Sequence, residues 1–501
     1  MHDRDQLKLT VPNDLAYYPI ARSFVREVAK MIGFDGSELN QIEVGVEEAV
    51  TNVMKHAYDA EENSTFDIIC EQIPAGIKIV LKEKGIPFDP GNIPSYKPAD
   101  TLDDISTSGI GVYLMKAVLD ECSFHNLGTE GKETRLIKYL KDKPGQAPPV
   151  RHSRASAETS EPEVIKEKLD FDIRLMDKHE AIEVSRCAYK SHGYSFFDDH
   201  IYYPERLVEL NKTGEMISAV AVTREGKFMG HAALLYQSPE DKIAELTFVF
   251  VNVEYRGQGA FNRLIEFLFS VPKPREMAGI YAYAVANHIF TQKATARYSI
   301  NDCGILLATS PASWKFKGIA GDPSQRISVV LSFKYLETPK RLALYPPEHH
   351  KEMIAKLYRN IGAEHDLVAP QSGGLDPAQE QSEIETSVNK NEGCAEIFVR
   401  RCGSNAAREI RKLLRDYCLQ QYASINLFLN MGDPAIHALT REFEELGFFF
   451  AGILPCARTG DTFMLQYLNN VDMDYTKVTA YSGMAKEMLV YIHDHDPNAS
   501  I

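Results

Sequence analysis

The chain has 501 residues, too long for one hydrophobic core, and its length predicts about three domains. Its 55 Lys and Arg are outnumbered by 70 Asp and Glu, and the net charge of −15 argues against binding to nucleic acid or to an anionic membrane surface. No apolar run approaches the ~18 residues of a membrane span. The eight cysteines are scattered without a CxxC pair, so we expect a cytoplasmic protein without disulfides.

Two segments poor in large apolar residues divide the chain. Residues 143–163 and 369–393 are rich in small and polar residues and are predicted linkers. They separate predicted domains at 1–142, 164–368 and 394–501, of which the second ends in a connector helix. The pattern of helices and strands predicts an α+β multidomain fold, with an α/β sandwich first, then a mixed α/β domain and a smaller α/β domain.

The first domain opens with an alternating strand at 6–11 and a long helix at 14–34. The elements predicted after them are a helix, two strands, a helix that begins beside a glycine pair, and a closing strand, at 43–58, 65–73, 76–83, 111–121 and 134–140.

A polar ladder lies on the helix at 43–58. Glu48, Asn52 and His56 recur at i, i+4 spacing and share one face, beside an apolar stripe that can face the core. Two interpretations stay open from the spacing alone. The ladder is either a solvated face, or a carboxylate that orients a water beside an amide oxygen that ligates Mg²⁺.

Three further features follow the ladder. Glu83 stands two residues before Gly85, in a turn that ends a strand. Gly109 and Gly111 open an amphipathic helix, whose free N–H groups could hold phosphate. Thr134 begins the closing strand. Four features in this order within 100 residues predict a nucleotide pocket.

With these motifs, residues 5–140 resemble the GHKL-type ATPase domain, specifically the anti-sigma-factor serine kinases of bacterial stress and sporulation control. The resemblance implies that ATP binds here, that Asn52 ligates Mg²⁺ and that Glu48 is the catalytic base. It also implies that Gly109 and Gly111 line the phosphates.

The same resemblance places the adenine near Thr134 and the first glycine box at Gly85. The family has Asp where this chain has Glu83, and that Asp accepts a hydrogen bond from the adenine amino group. Glu83 has the same chemistry with one extra methylene. We therefore expect ATP binding, while kinase activity stays open.

The most specific stretch of the chain lies at 244–269. A β-branched and aromatic strand leads into Arg256-Gly257-Gln258-Gly259 and then into an amphipathic helix. Glycines let a backbone approach a pyrophosphate closely, and a helix N-terminus supplies oriented N–H donors. The alternative is a plain strand-turn-helix.

This R-G-x-G loop resembles that of the GNAT acetyltransferases, and the resemblance spans about 170–335. It implies that acetyl-CoA binds here and that the strand edge at Val251 to Val253 pairs with pantetheine. It also implies that the CoA pyrophosphate is held by four consecutive N–H groups, those of Gly257, Gln258, Gly259 and Ala260, with Arg256 opening the loop.

The candidate catalytic residues of this domain follow from the same alignment. Glu245, on the strand that leads into the loop, is the proposed base for the acceptor amine. Thr295 falls where a tyrosine acid is common, and Tyr298, one turn away, is the substitute. His288 is expected to be a satisfied polar residue rather than a catalyst. Phe261 stands where the family often has a small residue.

The third domain repeats part of the second. The stretch at 443–468 echoes 299–336, because both contain Gly-Ile-Leu, a Pro-containing segment and an apolar strand. We predict a degenerate GNAT-like unit that begins near Ala395. It lacks an R-G-x-G loop and is expected to be structural, either completing the acetyltransferase or walling its acceptor cleft.

The connector helix at 341–362 carries an adjacent pair, His349 and His350. No potential ligand lies near them in sequence at the spacing of a metal site. The pair is therefore predicted to bind no metal.

Three functions remain open. The leading one is an N-acetyltransferase that modifies an amine, either a small molecule or a protein lysine, with an N-terminal Mg-ATP-binding regulatory module. The alternative is a serine kinase or partner-binding switch, whose partner would be a sigma factor or an antagonist-like protein. The third is a scaffold in which both sites are vestigial.

Overall fold

A computed structural model describes residues 6–58, 64–73, 76–86, 110–140, 168–192, 196, 198–312, 325–370, 379–390 and 392–499. The chain forms two compact units: unit 1 comprises 1–169, 177–208 and 252–258, and unit 2 comprises 170–176, 209–251 and 259–501. Across the described ranges, no helix is both long and apolar enough to cross a bilayer.

Unit 1 contains a five-stranded antiparallel sheet and three helices that belong to the predicted first domain. In chain order these are β1 (Gln6–Pro12), α1 (Tyr18–Ile32), α2 (Gly36–His56), β2 (Thr65–Ile73), β3 (Gly76–Glu83), α3 (Ile110–Val118), β4 (Glu121–Asn126) and β5 (Lys132–Tyr139). The strand order is β1-β2-β3-β5-β4. Strand β4 is not among the predicted elements, because its sequence ECSFHN is short and contains only two apolar residues, Cys122 and Phe124.

Helix α2 packs closely against the end of α3. Its apolar stripe is buried, and Ile42, Val46 and Val50 on this stripe are at most 1% exposed. A Cβ atom built on Gly45 would lie 2.5 Å from Leu119 Cδ1, so a larger residue would require the Leu119 side chain to move. The packing brings the beginning of α3 over the polar face of α2.

Unit 2 is organised around a twelve-stranded sheet. Its first strand in the chain is β6 (Phe171–Leu175). The helices α4 (Ala181–His192), which belongs to unit 1, and α5 (Pro204–Thr213) follow before the next strand. The remaining elements are β7 (Met216–Thr223), β8 (Phe228–Leu235), β9 (Ile243–Val251), α6 (Ala260–Ser270), β10 (Gly279–Val285), α7 (Phe290–Arg297), β11 (Asn301–Ser310), β12 (Ile327–Tyr335), β13 (Ala343–Leu344), α8 (Lys351–Asn360), β14 (Asp366–Leu367), β15 (Glu383–Asn389), β16 (Cys394–Arg401), α9 (Ala406–Leu419), β17 (Ser424–Asn430), α10 (Ile436–Glu445), β18 (Phe449–Ala457), β19 (Gly460–Leu468) and α11 (Gly483–His495).

The sheet contains one topology twice. Its order is β15-β16-β17-β19-β18-β11-β12-β10-β9-β8-β7-β6. In the first copy β9 crosses through α6 to its parallel neighbour β10, and α7 leads to the β11–β12 hairpin. In the second copy β16 crosses through α9 to its parallel neighbour β17, and α10 leads to the β18–β19 hairpin. The sequence similarity between residues 299–336 and 443–468 is therefore explained by these two equivalent hairpins.

The two copies join through strands β11 and β18. Gly304 of β11 pairs with Gly452 of β18, and a Cβ atom on Gly452 would lie 2.4 Å from the Cα of Gly304. The amide of Gln466 secures the junction, because its Oε1 accepts from the N–H of Leu307 at 2.8 Å and its Nε2 donates to the Leu307 carbonyl at 3.0 Å. The Gly-Ile-Leu repeats thus meet at the seam.

This continuity changes the predicted domain organisation. The segments at 164–368 and 394–501 share one sheet rather than forming separate domains. A single hydrophobic core contains residues from both, such as Ile305 and Leu331 of one copy and Ile397 and Phe450 of the other. Strand β15 lies inside the predicted linker 369–393. The sequence shows no alternation there because most side chains of β15 are exposed.

Candidate functional site

The polar ladder of α2 lies directly under the first turn of α3. Glu48 and Asn52 are half-buried, whereas His56 is exposed. A Cβ atom on Gly111 would lie 2.8 Å from Glu48 Oε2 and 3.4 Å from Asn52 Nδ2. The structure therefore brings together three residues that the sequence places in one nucleotide site. Gly109 lies outside the described residues.

Gly85 fits against the end of α2. A Cβ atom there would lie 2.0 Å from the carbonyl oxygen of Ala57, and that oxygen accepts a hydrogen bond from Ile86 N–H at 2.5 Å. A larger residue would push the turn away from the helix. This explains, by packing, why the first glycine box needs its glycine.

Glu83 is buried, and both of its carboxylate oxygens have partners. Oε1 lies 2.7 Å from Lys132 Nζ, and Oε2 accepts from the N–H of Gly85. An adenine amino group would have to share this carboxylate with them. Sequence reasoning missed Lys132, which is adjacent in space only because β3 pairs with β5 in the register Glu83↔Lys132. Thr134 sits two residues along the same strand, paired with Leu81 and half-buried.

The R-G-x-G loop follows β9 and leads into α6. Gly257 and Gly259 both have φ of +84°, a left-handed conformation that favours glycine, and a Cβ atom at either would meet nothing within 4 Å. No side chain caps α6. Within the described part of the chain, the N–H groups of Gly257, Gly259 and Ala260 have no hydrogen-bond acceptor. Open space beside unpaired N–H donors suits a pyrophosphate.

Strands β9 and β10 diverge before they reach this loop. They pair over three positions only, Ile243↔Gly279 to Glu245↔Tyr281. Beyond these, β9 stays paired with β8, with a register shift near Phe248, whose φ is +52°. The edge of β9 that faces β10, including Val251, is thus open to another extended chain. Val253 begins the turn that follows and is 37% exposed.

The second copy is closed at both equivalent places. Strands β16 and β17 pair over six positions, Cys394↔Ser424 to Val399↔Leu429. Its loop N–H groups are bound by the chain itself: Cys402 N–H donates to Asp433 at 2.6 Å and Gly403 N–H to Ser382 Oγ at 2.9 Å.

Glu245 lies at the last pair of the β9–β10 ladder. It is 5% exposed, and Gln237 Nε2 donates to its Oε2 at 3.1 Å. The opposite residue, Tyr281, is buried, and burial, with Glu245 as a second cause, raises its pKa well above the ordinary value.

The other candidate catalysts have local partners. Tyr298 Oη donates to the carbonyl of Asn262 at 3.2 Å and lies 3.4 Å from Glu266 Oε1, both on α6. Burial and then Glu266 raise the pKa of Tyr298, so its hydroxyl holds its proton. Thr295 is buried and donates to its own helix at the Gln292 carbonyl, 2.9 Å away.

His288 and Phe261 flank these elements. Burial lowers the pKa of His288, whose ring lies 5.4 Å from that of Phe290. Phe261, in the first turn of α6, is half-exposed.

Glu396 is a candidate that sequence reasoning missed. The stretch Ala395-Glu396-Ile397 in β16 repeats Ala244-Glu245-Leu246 in β9, and Glu396 pairs with Asn426 as Glu245 pairs with Tyr281. No hydrogen-bond or ion-pair partner for Glu396 lies within the described residues. Burial raises its pKa to about 7. Burial, then Glu396, then Glu245 raise the pKa of Tyr283 well above its ordinary value.

Residues 11–138 match the family described as the histidine kinase-like ATPase domain. The serine-protein kinase RsbW of Bacillus subtilis is 28% identical over 143 residues, 28% of this chain and 88% of RsbW. RsbW of Staphylococcus aureus MRSA252 is 28% identical over 142 residues, 27% of this chain and 88% of its own length. The predicted resemblance to anti-sigma-factor kinases is confirmed for this region.

Solved structures similar to a separate region are acetyltransferases by name. An N-acetyltransferase of Staphylococcus aureus Mu50 covers 34% of this chain and 99% of its own, at 15% identity and a TM-score of 0.28. The structure of the putative acetyltransferase yncA of Salmonella typhimurium with acetyl-CoA covers 34% of this chain and 96% of its own. Its sequence identity is 14% and its TM-score is 0.27.

Proposed function

We propose that the chain is an N-acetyltransferase that transfers acetyl from acetyl-CoA to an amine and is regulated by its N-terminal ATP-binding domain. One observation carries this proposal: a single topology occurs twice, and only the copy with the R-G-x-G loop is open. Its strands part after Glu245 and Tyr281, and within the described residues three of its loop N–H groups have no acceptor, those of Gly257, Gly259 and Ala260.

The open copy has the donors that a CoA thioester requires. The N–H groups of the loop from Gly257 to Ala260 would hold the pyrophosphate, with Gln258 among them and Arg256 adding positive charge. The edge of β9 at Val251, continued by Val253, would pair with the pantetheine amides. Backbone N–H groups on this edge would stabilise negative charge that develops on the thioester oxygen.

Two residues of the chain, Glu245 and Tyr298, are proposed to transfer the protons. Glu245 would take a proton from the acceptor ammonium, directly or through water, because only the neutral amine is a nucleophile. The amine nitrogen bonds to the acetyl carbon, the carbon–sulfur bond breaks, and the thiolate takes a proton. Tyr298 is the proposed donor of that proton, since its raised pKa keeps the hydroxyl protonated.

The acceptor is proposed to be a cationic amine. Glu396 and Glu245 both raise the pKa of Tyr283, so the negative charge of two carboxylates acts on this hydroxyl. An ammonium group between two carboxylates and an aromatic hydroxyl would be held by charge. A small amine and a protein lysine share this chemistry.

The ATP domain is proposed to regulate the transferase through a contact inside unit 1. Tyr189 on α4 donates its hydroxyl hydrogen to the carbonyl of Lys84, 3.3 Å away, in the turn between Glu83 and Gly85. Asn126, at the end of β4, donates to the Tyr202 carbonyl at 2.5 Å. Nucleotide binding at the glycine box can therefore reposition α4.

In this domain Asn52 would ligate Mg²⁺, with Glu48 as the base and Gly109 and Gly111 at the phosphates. The alternative function, a serine kinase that acts on a sigma-factor antagonist, is favoured by the same cluster and by homology to RsbW.

Calorimetry separates these functions. Acetyl-CoA is titrated into the full chain with and without saturating Mg-ATP. Acetyl-CoA affinity that changes with ATP establishes a coupling free energy between the sites and supports a regulated transferase. Absence of acetyl-CoA binding contradicts the transferase, and phosphorylation of an antagonist-like protein would then identify the kinase.

A further inference from the structure

A cluster of three potential metal ligands lies in unit 2, away from both proposed sites in the sequence. His349 and His350 precede α8, and Glu444 lies near the end of α10. The Nε2 atoms of the two imidazoles lie 2.9 and 2.8 Å from Glu444 oxygens. Chain folding therefore supplies the third ligand that the sequence around the histidine pair lacks.

We propose that His349, His350 and Glu444 bind one divalent transition-metal ion, with Zn²⁺ as the reference case. Two imidazoles and one carboxylate are a ligand set that Zn²⁺ takes in open sites. The ligand atoms lie within 4.8 Å of one another, so one ion can reach all three.

The distances fit with little rearrangement. Bonds of ~2.0–2.1 Å to a tetrahedral ion place neighbouring ligand atoms about 3.3 Å apart. Each nitrogen–oxygen separation would therefore lengthen by only about 0.4 Å from its present 2.8–2.9 Å. The ion would replace the hydrogen bonds that now join the imidazoles to the carboxylate.

The Tyr491 hydroxyl orients the buried imidazole of His350. His350 is 0% exposed, and its Nδ1 lies 2.7 Å from the Tyr491 hydroxyl on α11. A metal-bound histidine characteristically has its other ring nitrogen fixed in this way. With Nδ1 held by Tyr491, Nε2 is left to face Glu444.

The cluster has access to solvent on one side. His349 and Tyr491 line a cleft of about 950 Å³ that also contains His365 and Glu487. Three protein ligands beside an open cleft leave a coordination position for water or an anionic ligand, as in metal sites that bind exogenous groups. A hydrogen-bonded clamp between α8 and α10 is the competing explanation.

The test uses the metal alone on the full chain, freed of metal by a chelator. Zn²⁺ is titrated in competition with a chromophoric chelator, and Co²⁺ is added separately to record its visible spectrum. We expect one Zn²⁺ per chain and a tetrahedral Co²⁺ spectrum. Glu444→Gln, which keeps an oxygen acceptor but loses the charge, should weaken binding by roughly 100-fold.

His437→Gln is the matched control. His437 lies on α10, as Glu444 does, but its imidazole bonds to the Pro346 carbonyl rather than to the proposed ligands. It should bind Zn²⁺ as the wild type does. His349→Gln, at a partly exposed position, replaces Glu444→Gln if that variant fails to fold. Substoichiometric binding, or equal affinity in wild type and the folded ligand variant, would overturn the proposal in favour of the hydrogen-bonded clamp.

Discussion

Glu245 and Tyr281 are the last residues that pair between β9 and β10, whereas the equivalent pair of the second copy, Glu396 and Asn426, is followed by three more. The same strand crossing is therefore open in one copy and closed in the other. An open edge of β9 leaves backbone groups that a bound chain can satisfy. This difference is the basis for the proposal that the first copy holds the active site.

Gly259→Glu should abolish acetyl-CoA binding in calorimetry. The position is open, with nothing within 4 Å of an added Cβ, so the new side chain has space but brings a negative charge to the pyrophosphate loop. A non-glycine residue at this φ costs about 1–2 kcal/mol.

The control is Gly226→Glu, in the turn between β7 and β8. Gly226 has φ of +81° and is equally open, so both variants carry similar backbone strain. Loss of binding in both would point to destabilisation rather than to the loop.

Asn52→Ala should remove Mg²⁺-dependent ATP binding, because it deletes the amide beside Gly111. Glu48→Gln should retain ATP and slow any phosphoryl transfer to RsbW-type substrates, since it removes only the base. His56→Ala, one turn further on α2 and exposed, is the control and should leave both properties intact. Wild-type ATP affinity in Asn52→Ala would refute the Mg²⁺ assignment.

Tyr189→Phe should uncouple ATP from acetyl-CoA. The ring stays buried while the hydroxyl that reaches the Lys84 carbonyl is lost. Each ligand should still bind alone, but acetyl-CoA affinity should become independent of ATP.

Tyr202→Phe provides the comparison for this change. It removes a buried hydroxyl that accepts from Phe196 N–H, without touching Lys84. Coupling that survives Tyr189→Phe, or is lost equally in Tyr202→Phe, would remove this contact from the regulatory mechanism.

Glu396 should make stability depend on pH. The pKa of Glu396 in the folded state is about 7, above the ordinary 4.5. Between these two pH values the folded state therefore retains a proton that the unfolded state has lost. Stability therefore falls as the pH rises from about 4.5 to about 7, by up to roughly 3 kcal/mol.

Glu396→Gln should abolish this fall in stability with rising pH. Thermal unfolding should show the variant more stable than wild type at about pH 8 and equal to it at about pH 5. If Glu396 also holds the acceptor, the KM for a cationic amine should rise with little change in kcat. A uniform change in stability at both pH values would contradict the titration.

The residues of the candidate sites could be proposed from local patterns where each site lies on one segment. Helical spacing placed Glu48 and Asn52 on one face, and the R-G-x-G loop marked the start of α6. Partners that depend on sheet register were not predictable: Lys132 meets Glu83 only through the pairing of β3 with β5. Glu444 meets the histidine pair from 94 positions away.

The sequence alone determined the class of the N-terminal domain, the position of the R-G-x-G loop and the echo between the two C-terminal segments, because these depend on periodicity and on short motifs. Only the tertiary structure decided that the C-terminal segments form one continuous sheet and that one strand crossing is open. Both outcomes depend on hydrogen-bond register between strands far apart in the chain, and register is set by packing across the whole sheet.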